Sequence, residues 1–249
     1  MTFPDPGLLL AAELAAVFVG MSKGGLPVMG MLGVPVLSLA MSPVTAAALL
    51  LPIYIVSDVV GLYLYRREFS GRNLKILLPF ALIGVAIGWA TASIISERWV
   101  TLLIGLLSLA FCIDSWLKRK RTLPPRPADI PRGAFWGTIA GFTSFISHSG
   151  GPPYQMYVLP QKLPKMVFAG TSTILFAIIN WAKLLPYCAL GEFSSDNMEV
   201  AALLVPVALI STYAGYRLTR ILPEELFFRI ILGALFLISL ELIYKGLAG

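Results

Sequence analysis

Two glycine pairs interrupt apolar segments of this chain, each beside a polar side chain. The first lies in Ser22-Lys23-Gly24-Gly25-Leu26-Pro27, the second in Ser147-His148-Ser149-Gly150-Gly151-Pro152-Pro153. Glycine and proline at such places break a helix and free backbone N–H and C=O groups. In hydrocarbon each freed group is costly unless protein or a wet cavity receives it. Two such interruptions at matching places in two halves point to a transporter's substrate site.

The surrounding sequence places these breaks in a membrane. The 249 residues are 57% hydrophobic and 13% charged, against about a quarter charged in soluble domains. Apolar candidate segments run Leu8 to Ala40, Val44 to Tyr65, Leu74 to Ile95, Trp99 to Leu117, Ala134 to Leu159, Val167 to Leu190, Met198 to Leu218 and Leu226 to Tyr244. Ile76 to Ile95 and Trp99 to Ile113 carry no charge, and a span needs roughly 20 apolar residues. The fold class expected is all-α, a polytopic helical membrane protein. The net charge of +6 is scattered between the segments, which reads as cytoplasmic loops rather than nucleic-acid binding. Cys112 and Cys188 both lie in apolar runs, so neither a disulfide framework nor a metal site is expected. No cofactor motif is apparent. Met1 to Gly7 has no basic residue; the first apolar segment is therefore expected to remain rather than be cleaved as a signal.

The polar, basic and proline-rich stretch from Lys118 to Arg132 divides the chain. Residues 1–121 are read as a first membrane repeat, 122–132 as a cytoplasmic linker and 133–249 as a second repeat. Each repeat holds four segments. Besides the glycine pairs, Glu68-Phe69-Ser70 recurs as Glu192-Phe193-Ser194, and Gly88-Trp89 has a counterpart in Gly215-Tyr216. Asp58 precedes Tyr65 by the same interval as Asn180 precedes Tyr187. Their shared order argues for an internal duplication.

Charge sets the orientation. Arg66, Arg67, Arg72 and Lys75 in one loop, and Lys118 to Arg132 in the linker, belong inside by the positive-inside rule. The loop with Glu192, Asp196 and Glu199 has no basic residue, yet it matches the Arg66 loop in the repeat. Matching loops on opposite sides require an odd number of crossings per repeat. A re-entrant hairpin at the glycine-broken segment followed by three spans supplies that number. Leu8 to Ala40 is long for one span and suits two half-helices. The expectation is an inverted repeat with both termini outside. The competing arrangement has eight full spans and both termini inside.

Several polar side chains fall within these segments. Lys23 either contacts a substrate, snorkels, or pairs with Asp58. Gly24, Gly25, Gly150 and Gly151 leave backbone open, so that half-helix N-termini can face an anion, or else serve close helix packing. His148, the only histidine, sits between Ser147 and Ser149 and is either a proton relay or anion contact, or a packing residue. Asp58 lies about 12 Å inside its span, counted from Arg66 at 1.5 Å per residue. It is a proton-coupling candidate alongside His148. Asn180, Lys183 and Tyr187 share one helix face and offer an amide, a cation and a phenol to a polar ligand, or lock the bundle by hydrogen bonds. Ser149 joins the candidate binding residues, while Trp89, Trp99, Trp116 and Trp136 suit membrane interfaces.

The glycine-pair segment with its lysine, Ser42-Pro43, Asp58 with Gly61 and Tyr65, and Asn180, Lys183 and Tyr187 before Gly191-Glu192-Phe193 together resemble the TauE/SafE sulfite exporter family. The resemblance covers nearly the whole chain. It implies a multi-pass protein of the bacterial inner membrane that exports small sulfur-containing anions such as sulfite or organosulfonates. The first break has Lys23 where the second has His148, so the two are not equivalent. The expected function is a secondary transporter of a small anion, working by alternating access at the repeat interface, with proton or ion coupling as a further feature. An anion channel is the alternative reading, and an intramembrane hydrolase built on Ser147-His148-Ser149 a weaker one. No enzymatic activity is expected; the partners are the anion and the lipid bilayer, and the sequence leaves oligomeric state open.

Overall fold

The computed structural model describes residues 6–38, 40–41, 43–92, 94, 96–117, 124–189 and 195–248. Lys118 to Leu123, the Gly191-Glu192-Phe193-Ser194 sequence, Ser42, Ile95 and the stretch from Met1 to Asp5 lie outside them. Every regular element among the described residues is helical.

The chain runs α1 (Pro6–Lys23), a short 3-10 turn (Pro27–Met29), α2 (Gly30–Leu37), α3 (Pro43–Tyr65), α4 (Gly71–Thr91) and α5 (Glu97–Leu117). It continues through α6 (Ile130–Ser147), α7 (Gly151–Val158), a second 3-10 turn (Leu159–Gln161), α8 (Lys165–Ala189), α9 (Ser195–Ile221) and α10 (Glu224–Ala248). Among the described residues, six helices, α3, α4, α5, α8, α9 and α10, are long and apolar enough to cross a membrane. That makes three on each side of the linker. Their ends follow ordinary capping. Ser70 Oγ accepts from Asn73 N–H at 3.3 Å to start α4, and Asp129 accepts from Arg132 N–H at 2.9 Å to start α6. The Arg132 guanidinium, hydrogen-bonded to the Asp129 side chain, holds that carboxyl below the usual range. Glu224 and Glu225 open α10, and Lys245 stands in its last turn, each charge set against the helix dipole.

The described residues pack into two compact units, Met1–Phe69 with Ala169–Leu222, and Ser70–Phe168 with Pro223–Gly249. In the first unit α1, α2, α3 and α9 share a core that includes Ala16, Val19, Leu50, Ile53, Leu204 and Ala208. Small residues bring α1 and α9 together. A Cβ on Gly20 would lie 2.2 Å from Ala208 O, and one on Gly24 2.4 Å from Thr212 O. Without hydration to drive association inside lipid, such close backbone approach is the main source of helix pairing. After the break the chain turns back along α1. A Cβ on Gly30 would stand 3.0 Å from Ser22 Oγ, and one on Gly33 3.3 Å from Val19 Cγ2. These contacts run antiparallel, so α1 and α2 form a helical hairpin.

The second unit uses the same kind of contact. A Cβ on Gly84 of α4 would lie 2.1 Å from Thr138 O of α6, and one on Gly141 of α6 1.9 Å from Ala81 O. Tyr157 Oη of α7 donates to Asp129 O at 3.0 Å, just before α6, so α7 also returns beside the helix it follows. Arg98 Nε donates to Gly246 O at 2.9 Å and ties α5 to the last turn of α10. Leu203 and Ile210 on α9, and Leu237 on α10, are largely exposed, an arrangement that lipid tolerates and water does not.

Candidate functional site

The first break ends α1 at Lys23, and the carbonyls it frees are taken up by side chains of the same unit. Tyr65 Oη donates to Gly24 O at 2.8 Å, and Thr219 Oγ1 donates to the same oxygen at 3.3 Å. Thr173 Oγ1 donates to Lys23 O at 3.3 Å. On the far side of the turn Tyr54 Oη donates to Gly30 O at 2.6 Å. Three hydroxyls thus serve the two carbonyls, Lys23 O and Gly24 O, that the break leaves without helix partners, while the Tyr54 hydroxyl ties α3 to the first residue of α2. Gly25 carries the turn at φ +108°, in the region open to glycine.

One stripe of α3 organises this end of α1. Tyr54, Asp58, Gly61 and Tyr65 recur at helical spacing. Lys23 Nζ sits 5.1 Å from the Tyr54 ring centroid, within cation–π range. Gly61 leaves room for the backbone of Lys23, whose carbonyl oxygen would be 3.0 Å from an added Cβ. Asp58 receives the lysine directly: Lys23 Nζ and Asp58 Oδ1 are 2.7 Å apart. Its other oxygen, Oδ2, accepts from Asn180 Nδ2 of α8 at 3.0 Å. Lys23 is 4% exposed and Asp58 fully buried. Lys23 in the last turn of α1 also suits the negative end of that helix.

Lys183 stands one helical turn from Asn180 and is fully buried. Its Nζ has no hydrogen-bond partner among the described residues, although Lys23 and Asp58 both act on it electrostatically. Ser57 Oγ, next to Asp58, is likewise buried and has no hydrogen-bond partner among the described residues. With all three groups ionised, Lys23, Asp58 and Lys183 leave one positive charge in excess. Both oxygens of Asp58 are already engaged, one by Lys23 and the other by Asn180. Tyr187, the third residue of the α8 face, is buried as well.

Of the residues singled out from the sequence, Lys23, Gly24, Gly25, Asp58, Asn180, Lys183 and Tyr187 all belong to the first unit. Lys23 takes Asp58 as its partner. His148, Ser149, Gly150 and Gly151 belong to the second. His148 ends α6 in a left-handed conformation, φ 52°. The left-handed residue at the first break is instead Gly25, so the two breaks differ in geometry as well as in residue type. Ser149 Oγ donates to Ser147 O at 3.1 Å, and Thr143 Oγ1 donates to Ser149 O at 3.1 Å. Pro152 and Pro153 carry no N–H, so of the first three positions of α7 only Gly151 has a donor.

Sequence reasoning alone missed Ser57 and the carbonyl-binding hydroxyls of Tyr54 and Thr219; it offered Thr173 only with Thr171 and Ser172, as hydroxyls that either contribute or bond their own backbone, and Thr173 bonds Lys23 O. The 54, 58, 61, 65 spacing was a visible signal for Tyr54; Thr219 had none, because it reaches the break from a distant part of the chain.

No curated protein and no solved structure matches the chain. A family described as Sulfite exporter TauE/SafE matches residues 12–242. Six apolar helices and a match over nearly the full length lead to one conclusion: the chain belongs to the TauE/SafE sulfite exporter family of membrane transport proteins.

Proposed function

We propose that this protein is a secondary transporter that exports a small anion, a sulfur oxyanion or an organosulfonate, by alternating access. The observation that carries the reading is the buried Lys183 amine without a hydrogen-bond partner, beside an Asp58 carboxylate already engaged by Lys23 and Asn180. A buried cation is costly unless paired, and a bound anion is the group that pairs it. Lys23 then acts through Asp58 rather than on the substrate, and Asp58 and His148 remain the candidates for proton coupling.

Two units, each joining a glycine-broken helix to a long helix from beyond the linker, support a scheme of two inverted repeats, residues 1–121 and 133–249. Each break is the tip of a re-entrant hairpin, followed by three spans. The basic linker faces the cytoplasm, and the protein sits in a bacterial inner membrane. Family membership supports a sulfur-containing anion as cargo.

The test is efflux of radiolabelled sulfite and small alkanesulfonates from proteoliposomes, comparing the natural protein with Lys183→Met. Methionine keeps the volume and removes the cation. Loss of flux with an unchanged melting temperature is expected. Normal flux by Lys183→Met sinks the assignment.

A further inference from the structure

One amide of the second unit has no role in that reading. Gln155 of α7 is 0% exposed, and neither Nε2 nor Oε1 has a hydrogen-bond partner among the described residues. Native interiors seldom leave a buried amide in that state. The same unit shows how a buried amide is ordinarily satisfied. Gln161 and Asn73 exchange two bonds, Asn73 Nδ2 to Gln161 Oε1 at 2.9 Å and Gln161 Nε2 to Asn73 Oδ1 at 3.1 Å. The neighbours of Gln155 on α7 are also committed. Tyr154 Oη donates to Phe168 O at 2.8 Å, and Tyr157 Oη to Asp129 O at 3.0 Å.

Helix geometry directs the amide toward the second break. Side chains lean toward the helix N-terminus, and positions four apart share a face. Gln155 therefore shares a face of α7 with Gly151, one turn nearer the break, and Gly151 has no side chain to fill that face. Gly151 is the first residue of α7, so its N–H has no acceptor within the helix, and the positive end of the helix dipole lies there too. The face presents two kinds of donor, the Gly151 N–H and Gln155 Nε2, and one acceptor, Gln155 Oε1.

We propose that Gln155 and the N-terminus of α7 form a substrate subsite for an oxyanion that also carries a hydrogen-bond donor. An oxyanion oxygen accepts from Nε2 and from Gly151; Oε1 accepts the ligand's own O–H or N–H. A fully ionised oxyanion has no proton to offer and leaves Oε1 unmet. Two ligand sources share this chemistry, a protonated inorganic oxyanion such as hydrogensulfite and an alkanesulfonate bearing a hydroxyl or amine. The proposal rests on the anion-transport reading and specifies its substrate.

The test measures binding to the full-length protein in two pairs of probes. 2-Hydroxyethanesulfonate and propane-1-sulfonate match in size and charge and differ in the donor. Hydrogensulfite and sulfate, compared at one mildly acidic pH, form the inorganic pair. The natural protein is expected to bind the donor-bearing member of at least one pair about tenfold more tightly, the usual scale for one unmet buried group. Gln155→Met should erase that preference while melting at the same temperature or higher. Gln155→Asn, which keeps the amide but shortens its reach, should erase it too and stands in if the methionine variant does not fold. The pair that shows the preference identifies the ligand source. Equal affinities within both pairs, or a preference that survives both variants, overturns the proposal. Lys183→Met separates the two readings. Unimpaired anion binding in that variant overturns the Lys183 reading, while a preference lost only in the Gln155 variants leaves the subsite standing.

Discussion

Lys23 and Asp58 form an ion pair at 2.7 Å, with both side chains withdrawn from solvent. The pair joins the last residue of α1 to the middle of α3, where the helix break has removed ordinary backbone hydrogen bonding. Removing one member strands the other. Asp58→Ala is expected to destabilise by about 3–5 kcal/mol, the cost of an uncompensated buried charge. Lys23→Met with Asp58→Leu should lose far less than the sum of the single changes, because both desolvation costs vanish together. Unfolding in mixed micelles measures this cycle. Additive single and double losses would show that the pair is not coupled.

The turn at Gly25 is the second point of tension. Its φ of +108° disfavours any side chain, and a Cβ there would lie 2.1 Å from Tyr65 Oη. Gly25→Ala should therefore cost more than Tyr65→Phe, which removes one hydrogen bond worth about 1 kcal/mol and leaves Thr219 on the same carbonyl. Combining the two should relieve only the clash, not the backbone strain. Melting temperatures of the three variants give the order, and a mild effect of Gly25→Ala would contradict the geometry.

Much of this arrangement was visible in the sequence, and the reasons for the remainder are physical. Apolar run length and the two glycine pairs pointed to helices that cross and helices that break. Spacing placed Asn180, Lys183 and Tyr187 on one face, because helical periodicity is local. Periodicity does not say what a face meets. That Asn180 donates to Asp58, 122 residues away, depends on which helices pack together. Sequence halves divide at the linker, yet each compact unit draws helices from both sides of it. Ser57 and Gln155 looked unremarkable in the sequence, since a polar residue in an apolar run becomes informative only when its neighbours prove to be committed elsewhere.

Glycines in the long helices divide into two physical classes. Gly141 sits where a Cβ would reach 1.9 Å from Ala81 O, while Gly233 of α10 has open space around it. Gly141→Ala should separate α4 from α6 and lower the melting temperature markedly. Gly233→Ala should be neutral or stabilising by up to about 1 kcal/mol, from helix propensity alone. Equal effects at the two sites would show that the α4–α6 contact is looser than described.

The proposed inverted arrangement makes an accessibility prediction that charge counting alone cannot test. Arg66 follows the end of α3 and Glu199 lies in the second turn of α9, both exposed; they mark the two connections that the repeat equates but that the positive-inside rule places on opposite sides. Cys188 is exposed and Cys112 buried, so replacing Cys188 with alanine gives a quiet background for labelling. Arg66→Cys should then react with a membrane-impermeant maleimide only from the cytoplasmic side, and Glu199→Cys only from the outside. A hairpin plus three spans gives each repeat the odd number of crossings that this outcome needs, whereas eight full spans put both positions on one face. Labelling of both cysteines from the same side would exclude the inverted repeat and, with it, the placement of the two breaks as tips of oppositely directed hairpins.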